Sequence, residues 1–259
     1  MEISVSSYSL HSLIESGEMD VFGYLESMKY RYRLNTADLW CSPPNGTLPG
    51  VDEDYLKKVK NSLEEKDLTL VNMAVDHACI WGDTPEETEL HYKNALAYLH
   101  AAGKLGARTV RIDMGGRSLD MIDEQFELIV KRYREYCKIA DSYGFFIGPE
   151  NHFGPSLSPE NMDKVYKAVS HPAYKVLLHI GRWKVDEDKG DALVAPYTMH
   201  THFNVDGPTP HGWPLPRVIE EMKLLLDAGY KGCFGIEAGY SVPEVEWQVA
   251  SIRRAIARL

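Results

Sequence analysis

Leu105-Gly106-Ala107-Arg108-Thr109-Val110-Arg111-Ile112-Asp113-Met114 closes a helix and opens a strand within a few residues. Gly106 stops a segment that begins at Thr84-Pro85-Glu86-Glu87. There a capping Thr, a Pro at the first helical position and a Glu three residues on mark a helix start. Thr109 to Met114 then sets apolar Val110 and Ile112 against Arg111 and Asp113, so the two charges share one strand face. The unit is helix, glycine stop, strand, and the chain repeats it in both directions.

Upstream, Ile3–Ser7, Arg33–Trp40 and Leu68–Met73 read as strands one to three. Helical material runs from Leu13 to Lys29, weakened by Gly17 and Gly23, and again from Asp52 through Tyr55, Leu56, Val59 and Leu63. The second strand ends at the turn signal Ser42-Pro43-Pro44-Asn45-Gly46. Downstream, helices follow at Met121–Ser142, from Ser158, at 186–193, at Leu215–Asp227 and at Val242–Leu259. Strands five to eight fall at Gly144–Pro149, Val176–Ile180, Tyr197–Phe203 and Gly232–Glu237, with a Pro/Gly-rich surface loop at Gly207–Pro216. An open doubly wound sheet is the rival arrangement, but no GxGxxG follows the first strand. Eight βα units predict an α/β protein of one domain, residues 1–259, folded as a closed (β/α)8 TIM barrel.

The 259 residues suit one such barrel, and 44% apolar content can fill its core. A formal charge of -10 disfavours nucleic acid as a partner, and no basic cluster exceeds Lys131-Arg132 or Arg253-Arg254. No apolar run approaches 18 residues, so no membrane span is expected. Cys41, Cys79, Cys137 and Cys233 form no close-spaced pair, and residues 1–10 do not read as a signal peptide. These features lead to an expectation of a cytoplasmic enzyme or binding protein.

In barrels, chemistry is assembled where strands end at the C-terminal face. Strand five runs into Glu150, Asn151 and His152; strand six carries His179; strand seven carries His200 and His202; strand eight ends at Glu237. Glu150, His179, His202 and Glu237 thus occupy four consecutive strands. Two carboxylates and two imidazoles suit one divalent ion per chain, of the Mn, Co, Fe or Zn kind. His200 and His202 share a face, so either can be the ligand; the pattern favours His202. Arg111, His152, Arg182, Lys184 and the other strand-seven histidine are candidates to hold substrate, although Arg111 and Asp113 can equally pair with each other. Asp38, Asp76 and His77 are weaker candidates. Trp81, Trp183, Trp213 and Tyr240 can stack on a sugar face or simply pack.

At these residues the chain resembles the sugar phosphate isomerase/epimerase superfamily, the xylose isomerase-like TIM barrels. The likeness lies in Gly148-Pro149-Glu150-Asn151-His152, in Met199-His200-Thr201-His202-Phe203, in Gly232-Cys233-Phe234-Gly235-Ile236-Glu237 and in Leu105-Gly106-Ala107. The resemblance implies metal ligation by Glu150, His202 and Glu237, a Mn-type ion, and an isomerase or epimerase of a sugar, polyol or related hydroxy-carbonyl compound. Glu150 and Glu237 would be its catalytic carboxylates, and a homo-oligomer is implied as well. Strand six departs: the family commonly has Asp with His three residues later, where this chain has His179 and Arg182. Ser156 also stands where ketose epimerases carry Glu. A metal-dependent lyase or dehydratase, or a non-catalytic sugar-binding barrel, therefore stays open as an alternative. A DNA-repair endonuclease needs more His and Asp ligands and a basic surface.

Overall fold

The computed structural model describes residues 1–43, 45–206, 212–238 and 241–259. Pro44, the 207–211 part of the Pro/Gly-rich loop and Tyr240 lie outside them. Eight parallel strands follow in order: β1 (Ile3–Val5), β2 (Thr36–Cys41), β3 (Thr69–Val75), β4 (Thr109–Ile112), β5 (Phe146–Gly148), β6 (Val176–His179), β7 (Thr198–Phe203) and β8 (Phe234–Ile236). The helices are α1 (His11–Glu15), α2 (Val21–Glu26), α3 (Glu53–Glu65), α4 (Pro85–Leu105), α5 (Asp123–Tyr143), α6 (Pro159–Val169), α7 (Glu187–Val194), α8 (Leu215–Asp227) and α9 (Val242–Ile256).

Two ladders of four strands, β2-β3-β4-β5 and β1-β8-β7-β6, make up the wall. Single parallel bridges close the seams: Ser6 to Asp38 between β1 and β2, and Ile147 to Tyr174 and Glu150 to Leu177 between β5 and β6. The α/β barrel expected from the strand count is present. Closure leaves no long open edge, and it puts Glu150 on a seam.

The strand–helix units form for local reasons. Thr84 accepts a hydrogen bond from the Glu87 amide and Pro85 starts α4; Ser158 and Pro159 do the same for α6. Gly106 ends α4 in the left-handed region, φ 76°, where a side chain would cost about 1–2 kcal/mol. The helical material expected over 13–29, weakened by Gly17 and Gly23, is divided into α1, α2 and a wide turn over 27–31. Gly17, at φ 76°, leaves the helical path, and Asp20 caps a new start by accepting from the Gly23 amide at 2.8 Å. Strand limits also shift: β5 begins at Phe146 because Gly144 still terminates α5.

Outside the wall, α4 buries Ala95, Leu99, Ala102 and Leu105, and α5 buries Ile129, Tyr133, Tyr136 and Ala140. The barrel axis differs, because polar side chains occupy it where branched apolar ones are usual. Asp38 accepts from Ser4 Oγ at 3.3 Å and Asn72 Nδ2 at 2.9 Å, and Thr109 Oγ1 donates to Asn72 Oδ1 at 2.9 Å. His200 Nε2 lies 2.8 Å from Asp38 Oδ2. This fully buried polar layer is the floor of the site above it. Among the described residues, no helix is long and apolar enough to cross a membrane, and all four cysteines are free.

Candidate metal centre

Glu150, His179, His202 and Glu237 converge at the C-terminal end of the barrel. One ligand atom from each lies within 4.8 Å of the others. His179 Nδ1 is 3.1 Å from Glu150 Oε1 and 3.3 Å from Glu237 Oε2. His202 Nδ1 is 3.5 Å from Glu237 and 3.8 Å from Glu150. Backbone contacts fix the setting: the Glu150 amide donates to Asp113 Oδ1, and the Asn151 side chain exchanges bonds with the His179 amide and carbonyl. The quartet sits at the barrel mouth, with Glu150 and His202 fully buried.

The donor set fits a divalent ion. Both ring nitrogens of His202 and Oε2 of Glu150 are buried without a hydrogen-bond partner. Each such group costs about 1–3 kcal/mol when left unsatisfied. The contacts of His202 with its acidic neighbours, at 3.4–3.8 Å, are ion-pair separations rather than hydrogen bonds. Two imidazoles and two carboxylates within reach of one point are borderline ligands for a first-row divalent ion.

Charge coupling within the quartet is strong. Burial raises a carboxyl's pKa, yet contact with His179 and His202 holds Glu150 well below the usual carboxylate range. Glu237 is likewise held low against burial, mainly by the charge of His202. Burial works against a proton on His202, but Glu237, Asp38 and Glu150 together raise its pKa well above that of a free imidazole. Asp38, beneath it, is kept ionised against burial by His200 and His202. His202 thus points Nδ1 at the quartet and Nε2 at Asp38, 3.4 Å away.

Around the quartet, Arg111 is buried and engages Asp76 at 2.9 Å, Asp113 at 3.0 Å and Glu150 at 3.5 Å. That is the internal ion network, with its charge spent on carboxylates. His152 Nδ1 meets Asp113 Oδ2 at 2.9 Å; burial disfavours its charge, but this hydrogen bond leaves its pKa raised. Arg182 spans Glu150 Oε1 at 3.1 Å and Glu237 Oε2 at 3.6 Å.

Lys184 is exposed, and no contact draws it to the cluster among the described residues. His200 is not at the mouth; it is 1% exposed and turned to Asp38 in the floor. Trp183 and Trp213 point inward, donating to Asp191 and to the Ile180 carbonyl. Burial drives the Cys79 thiol up to about 12. A cavity of about 310 Å³ opens at the other end of the barrel, among Arg108, Lys175 and Lys231.

Sequence reading missed Ser4, Asn72 and Thr109, whose short polar side chains look unremarkable in a strand, and gave Asp38 little weight. An ionisable residue in the middle of the apolar run Ala37-Asp38-Leu39 was the available signal.

Comparison with known proteins agrees with this fold. A family model described as the xylose isomerase-like TIM barrel matches residues 34–258. Among solved structures, the D-psicose 3-epimerase of Clostridium cellulolyticum H10, solved with D-tagatose, superposes with a TM-score of 0.75 at 16% identity, covering 99% of each chain. The probable 3-DHS dehydratase of Bacillus anthracis gives 0.71 at 13% identity, covering 98% of this chain and 99% of that one. A xylose isomerase-like TIM barrel protein of Mycobacterium smegmatis, in complex with magnesium, gives 0.74 at 14%, covering 99% and 95%. No curated protein sequence matches the chain.

Proposed function

The chain belongs to the xylose isomerase-like TIM barrel family, and on that premise we propose that it is a divalent-metal-dependent isomerase or epimerase of a sugar, polyol or related hydroxy-carbonyl compound. The observation that carries this reading is the convergence of Glu150, His179, His202 and Glu237, with buried atoms on Glu150 and His202 that have no hydrogen-bond partner. These four residues would hold the ion. Manganese suits the set, as do cobalt, iron and zinc.

A bound divalent ion supplies electrophilic polarisation of a substrate carbonyl. The chain's own groups do the rest. Glu150 or Glu237, each kept ionised, takes the proton from the carbon beside the carbonyl. The C–H electron pair moves onto the carbonyl oxygen, giving an enediolate. The opposite carboxylate, once it has taken a proton from solvent, gives it to the far face of the same carbon and inverts it. Return of the abstracted proton by the first carboxylate to the neighbouring carbon, with the hydroxyl proton passing to the former carbonyl oxygen, isomerises the substrate. His152 and Arg182 line the approach and hold substrate oxygens.

A dehydratase is the second reading, favoured by His152. Its proton, retained through Asp113, can be given to a departing β-hydroxyl once the α-proton has been removed. The epimerase and the dehydratase among the similar folds are consistent with either outcome. Glu150→Ala and Glu237→Ala, assayed for bound manganese and for product on a panel of ketoses and polyols, decide the matter. We expect both variants to lose metal and turnover by more than about 100-fold. Unchanged metal content and turnover would remove both carboxylates from the mechanism; a dehydrated product would select the second reading.

A further inference from the structure

Arg182 lies across the two carboxylates that a divalent ion would need. Its Nη1 is 3.1 Å from Glu150 Oε1 and its Nη2 is 3.6 Å from Glu237 Oε2, while about a third of the side chain faces solvent. Its backbone is pinned. The Arg182 amide donates to the His179 carbonyl, Asn151 Nδ2 donates to the Arg182 carbonyl at 3.0 Å, and the preceding Gly181 amide donates to both Asp191 oxygens. Gly181 has φ 68°, and a Cβ there would meet the Trp213 ring at 2.4 Å, so the turn has one shape. Only the long side chain is free to move.

Counting charges shows what that side chain needs. Two ionised glutamates and two neutral imidazoles balance a divalent ion. Asp76 and Asp113 already hold Arg111 and His152, and Asp38 lies in the floor against His200 and His202, so Glu150 and Glu237 are the carboxylates Arg182 contacts. Among the described side chains contacting the quartet, Arg182 is then the cation whose partners have been taken. A guanidinium at a half-buried mouth, close to a new dication, is stabilised most by a planar anion it can grip through two N–H groups. A neutral polyol offers no such partner.

Building on the metal reading above, we infer that Arg182 is a displaceable arm. It latches Glu150 to Glu237 and, once released, binds an acid group of the substrate. The substrate class narrows accordingly from sugars in general to sugar acids and hydroxy-keto acids, with the carboxylate on Arg182 and the adjacent hydroxyl and carbonyl oxygens toward the quartet.

The same structure makes two demands that a merely supporting residue would not. Removing the arm's charge frees the carboxylates, so metal binding tightens; it also removes the anion grip, so preference for an acid falls. The test uses full-length wild type, Arg182→Gln and Arg182→Lys. Manganese affinity is read by electron paramagnetic resonance of the free ion. Calorimetry on the loaded proteins then compares D-gluconate with D-glucitol, which differ in a carboxylate against a hydroxymethyl group. The inference requires Arg182→Gln to bind manganese about tenfold more tightly and to lose about tenfold of the gluconate preference, with Arg182→Lys between. Arg182→Gln matching wild type in either measurement overturns the arm while leaving the metal centre standing. Failure of wild type and both variants to bind manganese overturns the metal reading, and the arm with it.

Discussion

The two faces of the same strands follow different rules. On the outer face of β4, Val110 and Ile112 meet the helices and are fully buried among apolar neighbours. On its inner face Thr109 and Arg111 are equally buried, yet each is tied to named partners: Asn72 for one, Asp76 and Asp113 for the other. Outer contacts are non-directional and scale with area, so many apolar side chains would serve. Inner contacts are directional and charged, so one substitution removes a function and leaves the wall standing.

The sharpest test sets one residue from each face against the other. His202→Ala deletes a central donor of the quartet and is expected to weaken manganese binding by more than about 100-fold, beyond what supporting partners are worth. Its circular dichroism should match wild type. Leu99→Ala, in the fully buried stripe of α4, should cost about 2–5 kcal/mol. That lowers Tm by about 5–15 °C, with manganese per chain unchanged. If His202→Ala unfolds the barrel while Leu99→Ala strips its metal, the contrast between the faces is wrong.

The floor tests the contrast one layer deeper. Asp38 is the carboxylate below His202 Nε2 and also receives Ser4, Asn72 and His200. An outer carboxylate that orients a ligating imidazole is typically worth about 10–100-fold in metal affinity. Asp38→Asn keeps the shape but removes the charge. Manganese affinity should fall within that range, as measured by competition with a chelator. An affinity within about twofold of wild type would confine Asp38 to packing the axis.

This division also governs what could be read from the chain before its fold was known. The wall was legible because outward residues obey a period, and because Gly106 and the Thr84 and Ser158 caps punctuate it. Three members of the quartet were legible because Glu150, His179 and Glu237 each close or follow an apolar strand, and His202 because it alternates with His200 on one face of β7. Partner choice inside the barrel was not: Arg111 reaches Asp76 and Glu150 only once β3, β4 and β5 pair side by side, and spacing carries no record of that. His200 and His202 look equivalent by alternation, yet one faces the floor and the other the mouth. Over 11–26 Gly17 was a visible weak point, but the new start at Asp20 was not, since the apolar residues on either side still look continuous.

Protons provide a milder probe of the mouth. Glu237, Asp38 and Glu150 raise the pKa of His202 against the effect of burial, so the metal-free site holds a proton that a cation must expel. Lower pH therefore opposes metal uptake, and affinity rises with pH until His202 is neutral without help. Calorimetry in two buffers of different ionisation enthalpy should show about one proton released per manganese near pH 7. Uptake with no buffer dependence would mean that His202 is already neutral.

The smallest effect belongs to the shell, where one carboxyl breaks its apolar rule. Glu221 on α8 is buried, contacts Arg217 at 2.5 Å and leaves Oε2 unpartnered. Burial first, and the nearby Asp191 second, push its pKa up to about 7. A folded-state pKa above the unfolded one contributes stability that is fully present below about pH 4.5 and is lost as pH rises through about 7. Wild type therefore gives up this contribution between pH 5 and 8. Glu221→Gln keeps a neutral, hydrogen-bonding side chain at every pH and should escape that loss. Solvent screening near Arg217 leaves the difference at about 1 kcal/mol, or about 2–4 °C in Tm. Thermal melts should then show the variant gaining on wild type at pH 8 and not at pH 5. An equal gain at both values would trace the effect to packing rather than to ionisation, and the shell would be apolar in its energetics even where it carries a carboxyl.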